Sequence, residues 1–122
     1  MSDCIFCKII SGEIPSPKLH EDEICVAFKD IHPKAPIHLL IVPKEHIAMV
    51  SDLEEGKHDH LVGHMVNVAN KLAKQEGAEG YQLQFNVGEK GGQEVMHVHM
   101  HLMGWNGQLN LTYKLFCVSK AL

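Results

Sequence analysis

Apolar residues recur at helical spacing in two parts of the chain. The first part runs from Ile5 to Ile10, where Asp3 can cap a helix and Gly12 can end it. The second carries an apolar stripe from Leu61 to Leu72, preceded by a capping-box pattern over residues 51–54. The pattern therefore predicts a short amino-terminal helix and one long helix that opens at that box.

The remaining apolar segments are short and rich in β-branched residues, which is typical of strands. A polar Asp22-Glu23 pair separates two of them and indicates a hairpin. The continuous segment before Pro43 indicates a strand covered on both faces. The predicted strands span residues 19–21, 24–29, 37–42, 81–86 and 97–103. With the two helices they predict an α+β fold built on an antiparallel sheet of about five strands.

The last predicted strand carries three histidines. His97, His99 and His101 alternate with apolar residues, so three imidazoles line one face while their neighbours enter the core. Successive histidines of a strand lie about 7 Å apart and the outer two about 13 Å apart, so a metal can join one neighbouring pair but not all three. In the alternative chemistry a backbone carbonyl holds one ring nitrogen of His99 as an N–H, and the other nitrogen attacks phosphorus. A polar sheet face without function is a third interpretation.

A glycine-rich loop, residues 88–94, leads directly into this strand. Gly91 and Gly92 have no Cβ, so their backbone amides can approach a bound group such as a phosphate closely. A plain hairpin turn explains the same residues. The three histidines that follow favour phosphate binding.

Composition excludes several classes of function. The 122 residues carry a formal net charge of -4, without the basic patch that nucleic-acid binding requires. The longest apolar run, Leu39 to Val42, is too short to span a bilayer, and the amino terminus lacks a signal-peptide pattern. We expect a single domain over residues 1–122 that binds neither nucleic acid nor membranes. The four cysteines favour the cytoplasm, where thiols stay reduced.

The string from His97 to Met103 matches the pattern of the histidine triad (HIT) family. Supporting segments occur in the family's order: Ile5-Phe6, Lys8-Ile9-Ile10, Glu13-Ile14-Pro15, Ala27 to Ile31, Ala35 to His38, Ile41 to Ile47, and Asn86 to Gln93. Over about residues 3–104 the chain resembles the histidine triad nucleotide-binding proteins with purine nucleoside phosphoramidase activity. The segment 105–122 follows no pattern that we can assign.

This resemblance implies a nucleotide-binding hydrolase that forms homodimers with one continuous sheet. It would cleave the phosphorus–nitrogen bond of purine nucleoside phosphoramidates through a covalent nucleotidyl-histidine intermediate. Its ligand would be a purine nucleotide such as AMP or GMP. A dinucleoside polyphosphate hydrolase and a non-catalytic nucleotide- or zinc-binding protein are the alternatives.

The resemblance also implies catalytic roles by position. His99 is similar to the nucleophile, and His101 to the histidine that binds the phosphoryl oxygens. His97 matches the residue whose backbone carbonyl orients the nucleophile, and His38 matches a further histidine buried behind the row. The chemistry requires no cofactor.

The nucleotide-binding positions follow from the same resemblance. Asp30 corresponds to the acid that binds the ribose hydroxyls, a contact that suits a carboxylate and a vicinal diol. Asn86 and Gln93 fall where the family contacts ribose and phosphate, next to Gly92, and Glu94 stands where some relatives place a serine. The implied purine pocket consists of Ile5, Phe6, Ile9, Phe28 and Ile31. Core packing is an alternative role for these apolar residues.

A Cys-x-x-Cys pair, Cys4 and Cys7, suggests a zinc site. Two thiolates at this spacing in a helical turn face the same way, and a tetrahedral zinc needs two further ligands that the pair itself does not identify. Some bacterial-type relatives complete such a site with histidines that match His46 and His97. The resemblance therefore implies a structural zinc, whereas a metal-free pair of thiols is the alternative.

Other histidines and cysteines fit structural roles. We expect His60 and His64 on a solvated helix face, and surface positions for His20, His32 and His58. A buried thiol is expected at Cys25, because it alternates within a strand. Cys117 lies in the unassigned tail.

Overall fold

The computed structural model describes residues 3–107. Two α-helices and five strands occur in this range: α1 (Ile5–Ser11), β1 (His20–Glu21), β2 (Cys25–Lys29), β3 (Ile37–Pro43), α2 (Asp59–Gln75), β4 (Gly80–Gln84) and β5 (Met100–Trp105). Short 3-10 turns occur at Val50–Asp52 and Glu89–Gly91. The part of the tail from position 108 onward, which includes Cys117, lies outside the described residues.

The strands form one antiparallel sheet in the order β1-β2-β3-β5-β4. The predicted hairpin of β1 and β2 is confirmed. All seven residues of β3 are buried, as its mostly aliphatic sequence predicts, because the strand lies inside the sheet with protein on both faces. The α+β fold of two helices and five antiparallel strands is therefore the one that the sequence predicts.

A helix packs on each face of the sheet. On one face the apolar stripe of α2 contacts alternate residues of β3 and β5, among them Leu39, Ile41, Met100 and Leu102. On the other face Phe6 and Ile9 of α1 pack with Val26, Phe28, Leu40 and Val42. Since α1 has only seven residues, it covers part of its face. The histidine row, which consists of His97, His99 and His101, lies beside the part of the sheet that α1 covers.

The histidine strand begins later than predicted. His97, Val98 and His99 precede β5 and lie outside the sheet ladder, because the backbone N–H of Val98 donates to the carbonyl of Ile47 at 2.7 Å. The neighbouring N–H of His97 donates to Val95 at 2.9 Å. The alternation of side chains nevertheless continues through this segment, since Val98 and Met100 both enter the core beneath α2.

The predicted start of the long helix is wrong. Ser51 lies in a 3-10 turn, and α2 begins only at Asp59. Two local features end the turn before the helix can continue from it. Gly56 adopts a φ of +83°, which breaks a right-handed helix, and the N–H of Glu54 donates to the ring of His58 at 2.9 Å. Within residues 3–107 no helix combines the length and the apolar composition that crossing a bilayer needs.

Gly104 provides a test of the sheet packing. An added Cβ there would lie 3.0 Å from the Cβ of Ala78 and 3.4 Å from the Cβ of Ile37. We expect Gly104→Ala to lower the free energy of unfolding by about 1–3 kcal/mol, because the crowded sheet must shift to accept the methyl group. Urea titration followed by circular dichroism measures this change.

Gly80→Ala is the matched control, since a Cβ at Gly80 meets nothing within 4 Å. Equal stabilities of the two variants would contradict the packing described here.

Candidate active site and metal centre

The ring of His99 is held by the backbone two residues before it. Its Nδ1 lies 2.8 Å from the carbonyl oxygen of His97, and the residue is only 7% exposed. A carbonyl oxygen can only accept, so Nδ1 must carry the hydrogen of the neutral ring. The lone pair of His99 is therefore on Nε2. The edge of the Phe6 ring packs against this imidazole, with the ring centroids 5.1 Å apart.

A second backbone contact fixes the opposite tautomer in His38. The N–H of Lys34 donates to Nδ1 of His38 at 3.0 Å, so the neutral ring carries its hydrogen on Nε2. That Nε2 lies 2.9 Å from Nδ1 of His101 and 3.3 Å from a carboxylate oxygen of Asp30. When His38 donates to His101, the hydrogen of the His101 ring is on Nε2. His101 then offers a donor, whereas His99 offers a lone pair.

Both members of this pair are neutral near pH 7. The pKa of His101 is lowered to about 4, mainly by burial and also by the neighbouring His99 and His38, against the opposing effect of Asp30. Burial also lowers the pKa of His38, where Asp30 opposes the shift and Lys34 adds to it. The N–H groups of this pair therefore belong to neutral rings.

Asp30 lies where β2 ends, next to this pair. One of its oxygens accepts the N–H of His32 at 2.8 Å, and the other lies 4.0 Å from Nδ1 of His101. The carboxylate is 17% exposed. A partly exposed anion beside the histidine row can accept hydrogen bonds from a ligand, although its predicted contact with ribose stays a prediction.

The glycine-rich loop is shaped by two amide side chains. Gln93 is 5% exposed; its Oε1 accepts the N–H of Gly88 at 2.9 Å, and its Nε2 donates to two backbone carbonyls at 2.7 and 2.9 Å. Asn86 donates to the carbonyl of Gly91 at 2.9 Å. Gly92 has a φ of +89°, and Asn86 would be 3.3 Å from a Cβ there. The structure thus shows both amides bonded to the loop, and their predicted ligand contacts stay predictions.

The predicted purine-binding residues divide into two groups. Phe6, Ile9 and Phe28 are buried in the small core between α1 and the sheet, as the core-packing alternative describes. Ile5 is 45% exposed and Ile31 is 85% exposed. Glu94, at the other side of the loop, is also exposed.

The Cys-x-x-Cys pair meets the two histidines that the resemblance indicated. Sγ of Cys4 lies 3.3 Å from Nδ1 of His97, and Sγ of Cys7 lies 3.3 Å from Nδ1 of His46. The two Nδ1 atoms are 3.1 Å apart, and all four donor atoms lie within 4.8 Å of one another. The sequence separates the cysteines from the histidines, yet the fold brings all four together at the amino terminus of α1.

The donor set of this cluster fits zinc. Nε2 of His97 donates to the carbonyl of Pro43 at 2.8 Å, which leaves the lone pair of the neutral ring on Nδ1, the atom that faces the cluster. Two thiols and two ring nitrogens are the donors of a common structural zinc site. His97 is fully buried whereas His46 is exposed, so one side of the cluster is open to solvent.

Three of the remaining expectations are settled by burial. Cys25 is fully buried and His32 is exposed, as predicted. The prediction of a surface position for His58 is wrong. This ring is 5% exposed because its Nδ1 accepts the N–H of Glu54 and its Nε2 contacts Glu45 at 3.2 Å.

His20 and His64 are both half-buried, and both rings contact Asp22. Sequence spacing gave no signal of this group, because its members come from β1, the following turn and α2. His60 remains on the exposed face of α2, as expected.

The fold and the histidine row define a protein of the histidine triad class. The family described as "Scavenger mRNA decapping enzyme C-term binding" matches residues 3–114. The purine nucleoside phosphoramidase of Escherichia coli K12 is 47% identical over 104 residues, which cover 84% of this chain and 87% of that enzyme. The chain belongs to the histidine triad (HIT) family.

Two solved structures show the same architecture. A HIT family hydrolase from Legionella pneumophila is 46% identical with a TM-score of 0.82, over 88% of this chain and 97% of that one. A zinc-bound histidine triad family protein from Mycobacterium smegmatis is 29% identical with a TM-score of 0.78, over 89% of this chain and 79% of that one.

The low pKa of His101 predicts an acid-sensitive fold. The ring stays neutral in the folded protein down to about pH 4, whereas its ordinary pKa is 6.5, so the unfolded chain binds more protons between these values. The free energy of unfolding therefore falls as the pH drops from about 6.5 towards 4, by up to about 1.4 kcal/mol per pH unit from this one group. Denaturant titrations at several pH values measure the slope.

We expect a shallower slope in His101→Asn, while His32→Asn, which replaces an exposed ring, keeps the wild-type slope. The slope is compared because the substitution also changes the stability at every pH. Identical slopes in wild type and His101→Asn would show that the ring does not resist protonation.

Proposed function

We propose that the protein hydrolyses the phosphorus–nitrogen bond of purine nucleoside phosphoramidates. The observation that carries this proposal is the hydrogen bond between Nδ1 of His99 and the carbonyl of His97, because it leaves a nucleophilic lone pair on Nε2. The similarity to the Escherichia coli phosphoramidase supports the choice of substrate. The nearby donor His101 supplies the second group that phosphoryl transfer needs.

In the first step Nε2 of His99 forms a bond to phosphorus as the bond to the amine breaks. The amine leaves with the bonding electron pair and takes up a proton. Positive charge develops on the His99 ring, and the carbonyl of His97 stabilises it through the Nδ1–H. His101 donates its Nε2–H to a phosphoryl oxygen, oriented by the contact of its Nδ1 with His38.

In the second step water attacks the nucleotidyl-histidine. A new phosphorus–oxygen bond forms, the bond to Nε2 breaks, and its electron pair returns to the ring. The water loses a proton, and the nucleoside monophosphate leaves. The neutral ring of His99 is thereby restored in its original tautomer.

Substrate binding in this proposal uses the residues around the row. Asp30 accepts hydrogen bonds from the ribose hydroxyls, and the exposed backbone of Gly91 and Gly92 approaches the phosphate. Asn86 and Gln93 maintain the shape of the loop that carries these two glycines. The purine base lies against the exposed apolar side chains of Ile5 and Ile31, two residues of the implied purine pocket.

The proposal includes a structural zinc held by Cys4, Cys7, His46 and His97. When bound, the ion supplies a cross-link between α1 and the segment that precedes β5, and it takes no part in the reaction. The convergence of the four donor atoms supports it, as does the zinc-bound relative. A reduced thiol pair is consistent with the proposed cytoplasmic location.

A homodimer is the proposed assembly. β4 is an edge strand of the sheet, and no strand among residues 3–107 pairs with its outer side. Tyr81 and Leu83 on this strand are 40% and 36% exposed. An uncovered edge with apolar side chains suits pairing with the same strand of a second copy, which would make the sheet continuous.

The nucleophile is tested with purified protein and two substrates, an adenosine phosphoramidate and a diadenosine polyphosphate. We expect the wild type to prefer the phosphoramidate, and His99→Ala to lose about 10³-fold or more in kcat/KM because the attacking nitrogen is gone. Rapid-quench mass spectrometry should detect nucleotidylated protein in the wild type and not in the variant.

His60→Ala, on the exposed face of α2, is the matched histidine control and should retain activity. Preferential turnover of the polyphosphate would show that the proposed substrate is wrong. No turnover of either compound would indicate a binding protein. Unchanged activity in His99→Ala would refute the assignment of the nucleophile.

The zinc site is tested by metal analysis of protein purified without chelator. We expect one zinc ion at this centre in the wild type, and one bound ion fewer per chain with a lower melting temperature in a Cys4→Ser, Cys7→Ser double variant, because two of the four ligands are removed. A wild-type protein without zinc, or a double variant that binds as many zinc ions per chain as the wild type, would contradict the proposal.

A further inference from the structure

A second group of possible metal ligands lies at the turn between β1 and β2, separate from the histidine row. One carboxylate oxygen of Asp22, Oδ2, lies 2.6 Å from Nε2 of His20 and 2.7 Å from Nε2 of His64. His20 belongs to β1, whereas His64 belongs to α2. Two imidazoles from different elements thus converge on a single oxygen atom.

The orientation of Asp22 is fixed by its own turn. Its other oxygen, Oδ1, accepts the backbone N–H of Ile24 at 2.7 Å and that of Cys25 at 2.9 Å. Burial raises the pKa of this carboxyl, but the hydrogen bonds from His20, Cys25, His64 and Ile24 outweigh burial and hold the pKa well below its usual range. The side chain is therefore an anion, aimed at the two rings.

Two further donor groups are close by. Sγ of Cys25 lies 4.0 Å from Oδ2 of Asp22, and the donor atoms of His20, Asp22 and Cys25 are all within 4.8 Å of one another. The pKa of the Cys25 thiol is raised to about 12, mainly by burial and also by the negative charge of Asp22. One helical turn before His64, the ring of His60 lies with its centroid 6.1 Å away.

We propose that His20, Asp22 and His64 form a second metal site, for a divalent transition-metal ion such as Zn²⁺. Imidazole nitrogens select such ions over Mg²⁺ and Ca²⁺, which prefer oxygen ligands. Two nitrogens and one carboxylate oxygen give three protein ligands, and solvent can supply a fourth. To bind the ion, each neutral ring would carry its hydrogen on Nδ1, so that the lone pair of Nε2 faces the metal.

The exposure of the three residues allows an ion to enter. The side chain of His20 is 18% exposed, and those of Asp22 and His64 are each 28% exposed. The site is thus partly shielded from water but open on one side. Because its ligands come from the β1–β2 hairpin and from α2, a bound ion would also join these two elements.

The test measures zinc bound at equilibrium after dialysis against micromolar Zn²⁺ near neutral pH. We expect wild-type protein to bind one more ion per chain than His64→Gln or His20→Gln, or to bind that ion at least about tenfold more tightly, since each variant lacks one ligand. His32→Gln removes an exposed histidine elsewhere and should bind as much as the wild type.

Both variants keep Cys4, Cys7, His46 and His97, so zinc at that centre contributes equally to all measurements. Copper(II) offers a spectroscopic check, because its electron paramagnetic resonance should show coordinated imidazole nitrogen that is reduced in both variants. Circular dichroism confirms folding, and the two variants change different elements. Equal zinc stoichiometry and affinity in the wild type and both variants would overturn the proposal and leave a hydrogen-bonded ion pair only.

Discussion

The hydrogen bond from His99 to the carbonyl of His97 is the contact on which the proposed chemistry of this site depends. A free imidazole exchanges its hydrogen between two nitrogens, and only one tautomer presents a lone pair in a given direction. A carbonyl oxygen 2.8 Å from Nδ1 removes that freedom. Since this acceptor belongs to the backbone, the selection depends on chain conformation more than on the side chain at position 97.

His97 links this selection to the packing of the amino terminus. Its carbonyl orients His99, while its own ring is fully buried between the carbonyl of Pro43 and the cluster containing Cys4 and Cys7. The start of α1 therefore contacts the same residue whose carbonyl orients His99, the proposed nucleophile. Phe6 adds a second link, because its ring packs against His99 from the same helix. A zinc ion bound at this cluster would restrict the backbone that carries the carbonyl of His97.

The sequence predicts the fold well because strands and helices leave periodic patterns. Full burial of β3 and the alternation around the histidines are both visible in the order of residues. The start of α2 is not visible in this way. The capping-box pattern at residues 51–54 predicts a helix there, but the positive φ of Gly56 and the contact of the His58 ring prevent it. Burial of His58 likewise depends on a tertiary contact, with Glu45, that no local pattern records.

The candidate site shows the same division. The histidine row and the Cys-x-x-Cys pair are local sequence patterns. The resemblance to a family indicated the residues that accompany them from distant parts of the sequence. The tautomers required coordinates, because they depend on backbone groups of Lys34, Pro43 and His97. The group around Asp22 joins three elements that are remote in sequence, so only the folded chain reveals it.

The electrostatic character of the histidine row follows from these partners. Burial lowers the pKa of both His38 and His101, so the rings enter the reaction as neutral groups. In the proposed reaction the row therefore offers the phosphate oriented N–H dipoles in place of fixed positive charges. Such a site avoids the large cost of burying unpaired cations before the substrate arrives. The lone pair on Nε2 of His99, the proposed attacking nitrogen, is also available, because the hydrogen of the neutral ring is on Nδ1 and bonded to the backbone.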